Sequence, residues 1–172
     1  MSKPPDTSPP VLQAVDSAPQ AAAHARRRHW LRLLARAPLP RLEEALAGMV
    51  PARVAWLRPP ETGLMMVRGR IGGTGDRFNL GELTVTRCAL RVVNDDGAVA
   101  AGVGYVLGRS ARQAELVALA DALLQDPAHG ARLQRDLLEP LEAELVAAAQ
   151  RSERQAQATR VEFFTVARET VR

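Results

Sequence analysis

GLMMVRGRIGGTGDRFNLGELTVTRCALR, residues Gly63 to Arg91, is the stretch whose reading decides the fold. Leu64, Met66 and Arg68 alternate with Met65, Val67 and Gly69, and Leu83, Val85, Arg87 and Ala89 alternate with Thr84, Thr86, Cys88 and Leu90. A period of two sends successive side chains to opposite faces, so the stretch predicts strand, glycine-rich loop, strand. Within the loop, Gly72, Gly73 and Gly75 allow backbone angles closed to other residues, which permits a tight turn or a close approach of bare N–H groups to a ligand. Arg70 and Arg77 bracket it, and two guanidiniums beside a glycine loop can hold an anion. Arg70, Gly72, Gly73, Thr74, Gly75 and Arg77 are therefore the candidate anion-binding set. A turn is the simpler reading, because no Gly-Lys-Ser/Thr follows and the next element reads as a strand, not a phosphate-capping helix.

Working outward toward the C-terminus, Asn94-Asp95-Asp96-Gly97 predicts a hairpin turn and Val99 to Leu107 the next strand. Gly102 and Gly104 inside that strand point to a bulge or a close backbone approach. Ser110 is placed to cap a helix over Ala111 to Gln125, with Leu116, Leu119, Ala120 and Leu123 on one face and Asp126-Pro127 ending it. Leu133, Leu137 and Leu138 predict a short helical turn, and Pro140 suits the start of a final helix from Leu141 to about Ala167. Its middle, QRSERQAQATR, is polar, whereas Phe163, Phe164 and Val166 concentrate apolar surface near the end; these three are candidates for docking on another chain.

Toward the N-terminus, Arg53 to Arg58 alternates as a strand that Pro59-Pro60 should end, and Arg41 to Met49 predicts a short helix. Ala21 to Ala37 has helical spacing, with Ala23, Trp30, Leu31, Leu34 and Ala35 on one face and Arg26, Arg27, Arg28, Arg32 and Arg36 on a basic one. Such runs are usually solvated, and contact with nucleic-acid phosphates is the alternative. Met1 to Gln20, rich in proline and small residues, reads as a disordered tail. The expected organisation is a tail over residues 1–20 and one α+β domain over 21–172: a small, mostly antiparallel sheet flanked by helices, with a long C-terminal helix.

Composition narrows the function. At 47% hydrophobic but only 3% aromatic, the chain must build its core from Leu, Val and Ala. A net charge of +4 is short of the clustered excess of a dedicated nucleic-acid binder. Cys88 is the single cysteine, which excludes an intrachain disulfide. No apolar run reaches membrane-spanning length and MSKPPDTSPP lacks the order of a secretion signal, so a cytoplasmic protein is expected. His24, His29 and His129 are too scattered for a spaced metal site, and Glu61 and Asp76 sit beside arginines, where loop carboxylates are most often solvated or paired.

Taken together and in order, ETGL at 61–64, GGTGDRF at 72–78, TR at 86–87, GY at 104–105, GR at 108–109, AE at 114–115 and RVEFFT at 160–165 resemble the PhnG family, a subunit of the bacterial carbon-phosphorus lyase core complex. The resemblance covers His29 to Arg168 and leaves out the tail and residues 94–100. Gln113 stands where some relatives carry histidine, which argues against a catalytic role there. What the resemblance implies is a required subunit of a phosphonate-catabolic assembly with PhnH, PhnI and PhnJ as partners, neither membrane nor nucleic acid being expected. The assembly joins methylphosphonate to the ribose of ATP with release of adenine. ATP is then a substrate of the complex, the nucleosidase chemistry falls to PhnI, and this chain binds no cofactor itself. The alternatives are a stand-alone nucleotide or phosphate binder built on the GGTG loop, and a nucleic-acid module using Arg26 to Arg36.

Overall fold

The alternation on either side of the glycine loop becomes two long strands. In the computed structural model, which describes residues 18–49, 53–71, 74–93 and 97–159, β1 (Arg53–Gly69), β2 (Phe78–Val93) and β3 (Val99–Leu107) form an antiparallel sheet in the order β1-β2-β3. Around it lie α1 (Ala18–Leu34), α2 (Leu39–Leu46), α3 (Ala111–Leu124), α4 (Pro127–Leu133), a π-helical turn (Gln134–Leu138) and α5 (Glu139–Ala158). The expected α+β architecture is the one observed. The expected tail lies outside the described residues except for 18–20, which belong to α1.

One expectation needs correction. Pro59-Pro60 does not end a strand; β1 runs through it as one element. Its outer edge is unpaired among the described residues, so the missing N–H groups disturb no ladder there. Register shifts between Trp56 and Arg58 and between Arg58 and Glu61 absorb the misfit as bulges. Among the described residues the last helix ends at Ala158, and 160–167 of its expected span lie outside them. At Ala158 the neighbouring Thr159 hydroxyl donates to the carbonyls of Gln155 (3.3 Å) and Ala156 (3.1 Å), satisfying the final turn. Phe163, Phe164 and Val166 lie outside the described residues, as do Asn94 to Asp96 of the hairpin turn.

The helices cover one face of β2 and β3. α3 is the central one, capped by Ser110, whose Oγ accepts from the Gln113 N–H at 3.3 Å. It reaches the sheet because β3 carries glycine where the two meet. A Cβ on Gly102 would stand 1.9 Å from the Ala118 carbonyl oxygen, and one on Gly104 would stand 2.1 Å from that of Ala114. The β2–β3 register has no break, so of the two expectations for these glycines the close approach is the one realised. Cys88, Leu90, Val92 and Val106 then pack against Ala114, Val117, Ala118 and Leu123, with Leu34, Leu42, Leu133, Leu137, Leu138 and Leu141 closing the core from the other helices. Each such leucine contributes about 2–5 kcal/mol relative to alanine.

One buried polar group ties the layers together. Asp121 on α3, fully buried, accepts from Arg27 Nε (3.1 Å) and Nη2 (2.7 Å), from Trp30 Nε1 (2.8 Å) and from the Val103 N–H (2.9 Å). All four donors converge on one carboxylate, so the charge is compensated where water cannot reach it. Arg27 thereby leaves the basic face of α1 and becomes part of the fold; it also donates to the Ala101 carbonyl at 2.8 Å.

Candidate functional site

The strings ETGL, TR, GY and GR, distant in sequence, meet at one level of the sheet. Glu61 pairs across with Arg87, which pairs with Tyr105, and Thr62 pairs with Thr86. Alternation puts the first row on the solvent face and the second on the helix face. On the solvent face, Glu61 Oε1 accepts from Arg87 Nε at 2.7 Å and from Arg58 Nη1 at 2.9 Å. The hydrogen bond from Arg87 is the chief cause that holds the Glu61 carboxyl below the ordinary carboxylate range; desolvation, the next largest effect, opposes it, and the charges of Arg87 and Arg58 and the hydrogen bond from Arg58 add to the lowering. Glu61 correspondingly pushes the Arg87 guanidinium up, with Tyr105 adding to it. Glu61 is therefore an ionised acceptor and not a proton donor at neutral pH. On the helix face, Thr62 and Thr86 hydroxyls lie 3.1 Å apart and Thr86 Oγ1 donates to the Gly108 carbonyl at 2.7 Å, which fastens the turn from β3 into α3.

The glycine loop sits elsewhere, at the far tip of the β1–β2 ribbon. Gly72 and Gly73 lie outside the described residues; Thr74, Gly75, Asp76 and Arg77 are exposed. Gly75 has φ +78°, a left-handed angle that a turn requires, and the Thr74 N–H donates to the Ile71 carbonyl at 3.2 Å. Arg70 donates to the Gly75 carbonyl and Arg68 to that of Arg77 at 3.4 Å. Arg70 thus serves the loop's own backbone, which is what a turn asks of it. The Arg77 guanidinium makes no hydrogen bond or ion pair among the described residues. The Glu61–Arg87–Tyr105 row was missed as a unit by sequence reasoning, although each of its strings was noticed; only the strand register shows that they are neighbours.

The sequence model for the family described as phosphonate metabolism protein PhnG matches residues 25–169, spanning the sheet, the helix layer and both rows. The chain belongs to the PhnG family. It is 45% identical over 148 residues to the alpha-D-ribose 1-methylphosphonate 5-triphosphate synthase subunit PhnG of Rhizobium meliloti (strain 1021), covering 86% of this chain and 92% of that protein.

Three further groups of this PhnG-family chain among the described residues, Cys88, Asp126 and Gln113, are committed to structure. Cys88 is buried against the helices, and burial pushes its thiol up to about 11, so it is not a nucleophile at neutral pH. Asp126 caps α4 by accepting from the Ala128 N–H at 3.0 Å, and its other oxygen meets His129 Nδ1. The bond to His129 is the main reason its carboxyl lies below the usual range. Gln113 donates to the Ala37 carbonyl at 2.9 Å, joining α3 to the turn between α1 and α2, which gives it a structural role. Among the described residues no three His, Cys, Asp or Glu side chains are grouped to hold a metal ion, and no helix is long and apolar enough to cross a membrane. A cleft of about 970 Å³ opens between α1 and α4, lined by His24, Arg26, Trp30, Gln125 and Gln134, well apart in the fold from the ribbon tip.

Proposed function

We propose that this chain is a required subunit of a complex that transfers methylphosphonate to C1′ of the ribose of ATP and releases adenine, and that it is inactive alone. The observation that carries this reading is its 45% identity to the Rhizobium synthase subunit over nearly the whole length of both chains. Displacement at an anomeric carbon passes through an oxocarbenium-like transition state and calls for a positioned acid for the leaving base and a held anion to attack. Three groups among the described residues that resemble such parts are engaged: Glu61 is held ionised by two arginines, Cys88 is buried, and His129 is bonded to Asp126. In this reading the nucleosidase chemistry falls to PhnI, with PhnH and PhnJ as the further partners, in the cytoplasm. ATP enters as substrate of the assembly, and this chain binds no cofactor of its own.

Purified alone, the chain should release no adenine from ATP plus methylphosphonate. Co-expressed with PhnH, PhnI and PhnJ it should co-purify with them, and leaving it out should abolish adenine release. Adenine release by the single chain, or full turnover without it, would overturn the proposal.

A further inference from the structure

β1 and β2 outrun the rest of the domain. β3 ends at Leu107, opposite Val85, and the last bond on that side of β2 runs from the Gly108 N–H to the Thr84 carbonyl at 2.9 Å. Beyond the Gly63–Val85 pair, residues 64–69 and 78–83 form a two-stranded ribbon with none of its residues buried. Both of its outer edges lack strand partners among the described residues. Two-stranded ribbons are marginal in water even when polar. This one is apolar. Leu64 and Met66 project from the face shared with Thr62, Met65 and Leu83 from the opposite face, and Phe78 and Leu80 crowd the side of Gly69. All six are between 42% and 66% exposed.

We propose that this ribbon is the arm by which the chain enters a slot in a neighbouring protein subunit of its complex, a slot with apolar walls and carboxylates at its rim. The inference rests on the subunit reading given above. Apolar side chains on both faces call for an occupant that grips the ribbon from two sides; stacking on a second copy of this chain would cover one face and leave the other in water. Charge specifies the rim. Around the tip stand Arg68, Arg70 and Arg77 against Asp76, so carboxylates of the partner complement it, and they find the guanidinium of Arg77 still unengaged by the described residues. The bare ladder edges beside Leu64 to Gly69 and Phe78 to Leu83 add backbone donors and acceptors that a strand of the partner can take up.

Hydrogen exchange on the full chain, free and in the co-expressed complex with PhnH, PhnI and PhnJ, tests this without any substitution. Amides of 64–69 and 78–83 should exchange fast in the free chain and slow at least tenfold in the complex. Two variants follow: Leu64→Glu with Met66→Glu on one face, and Met65→Glu with Leu83→Glu on the other. Each should weaken assembly by roughly 100-fold, as truncated hot spots do. The free chain's melting temperature should stay within about 2 °C, as for surface changes. Val146→Glu, on the exposed part of α5, should change neither. Unchanged ribbon exchange on assembly overturns the proposal while leaving the subunit reading intact. Slow exchange already in the free chain together with a dimeric mass assigns the ribbon to a second copy and also overturns it. Failure of the unaltered chain to assemble at all would remove the subunit reading, and this proposal with it.

Discussion

Replacing Gly104 with alanine tests the contact on which the whole layer arrangement depends. The new Cβ would lie 2.1 Å from the Ala114 carbonyl oxygen, 3.0 Å from the carbon of that carbonyl and 3.2 Å from the Ala118 nitrogen, where ordinary contacts begin near 3.4 Å. All three obstacles are helix backbone, so no side chain can rotate away; α3 must retreat from β3 by about 1.3 Å or tilt. Overpacking of this kind costs about 1–3 kcal/mol, more when rigid backbone is the obstacle. Alanine in a strand returns roughly 0.5–1 kcal/mol of backbone entropy. The net expectation is a loss of about 2 kcal/mol, read by calorimetry as a fall in Tm of roughly 4–8 °C for a domain of this size. Gly63→Ala is the control: a Cβ there meets nothing within 4 Å, so Tm should hold or rise. An unchanged Tm for Gly104→Ala would mean that α3 does not press on β3 as described, and the placement of Tyr105 beside Arg87 would lose its support.

Asp121→Ala should cost about 3 kcal/mol or more, since it strands Arg27, the Trp30 indole and the Val103 N–H at once; Asp121→Asn should cost less, and equal losses in urea unfolding would refute the convergent network. Asp126 has its carboxyl lowered by His129, so its contribution is complete above its unfolded value, about pH 4, and fades as pH falls through the lowered folded value; Asp126→Asn should therefore flatten the acid side of the stability profile, and an unaltered acid limb would count against it. At the ribbon tip, Arg77→Ala should weaken assembly, more so at low salt, while turnover per assembled complex stays unchanged. The opposite pattern, intact assembly with catalytic efficiency down roughly ten- to hundredfold, would make the glycine loop a substrate-anion contact through one or two charge-assisted hydrogen bonds.

Period-two alternation over Leu64 to Gly69 and Leu83 to Leu90, the Ser110 cap and the leucine spacing of residues 116–123 are local signals, and sequence alone determined strand, loop, strand and helix from them. The order of the short strings likewise sufficed for the family. Where a signal's meaning depends on distant neighbours, the sequence stayed open. Pro59-Pro60 ends a strand in one context and rides an edge in another, and which holds is decided by whether a neighbour needs the missing N–H groups. Gly102 and Gly104 announce either a bulge or a close approach, and only the helix lying against them chooses. Arg27 belongs to a basic run by sequence but to the core by its bond to Asp121, 94 residues away. Glu61, Arg87 and Tyr105 become one row only through strand register, which sets neighbours by pairing and not by separation along the chain. The bare ribbon, too, is a tertiary fact: its alternation is the same as that of a covered strand, and what distinguishes it is where β3 and the helices stop.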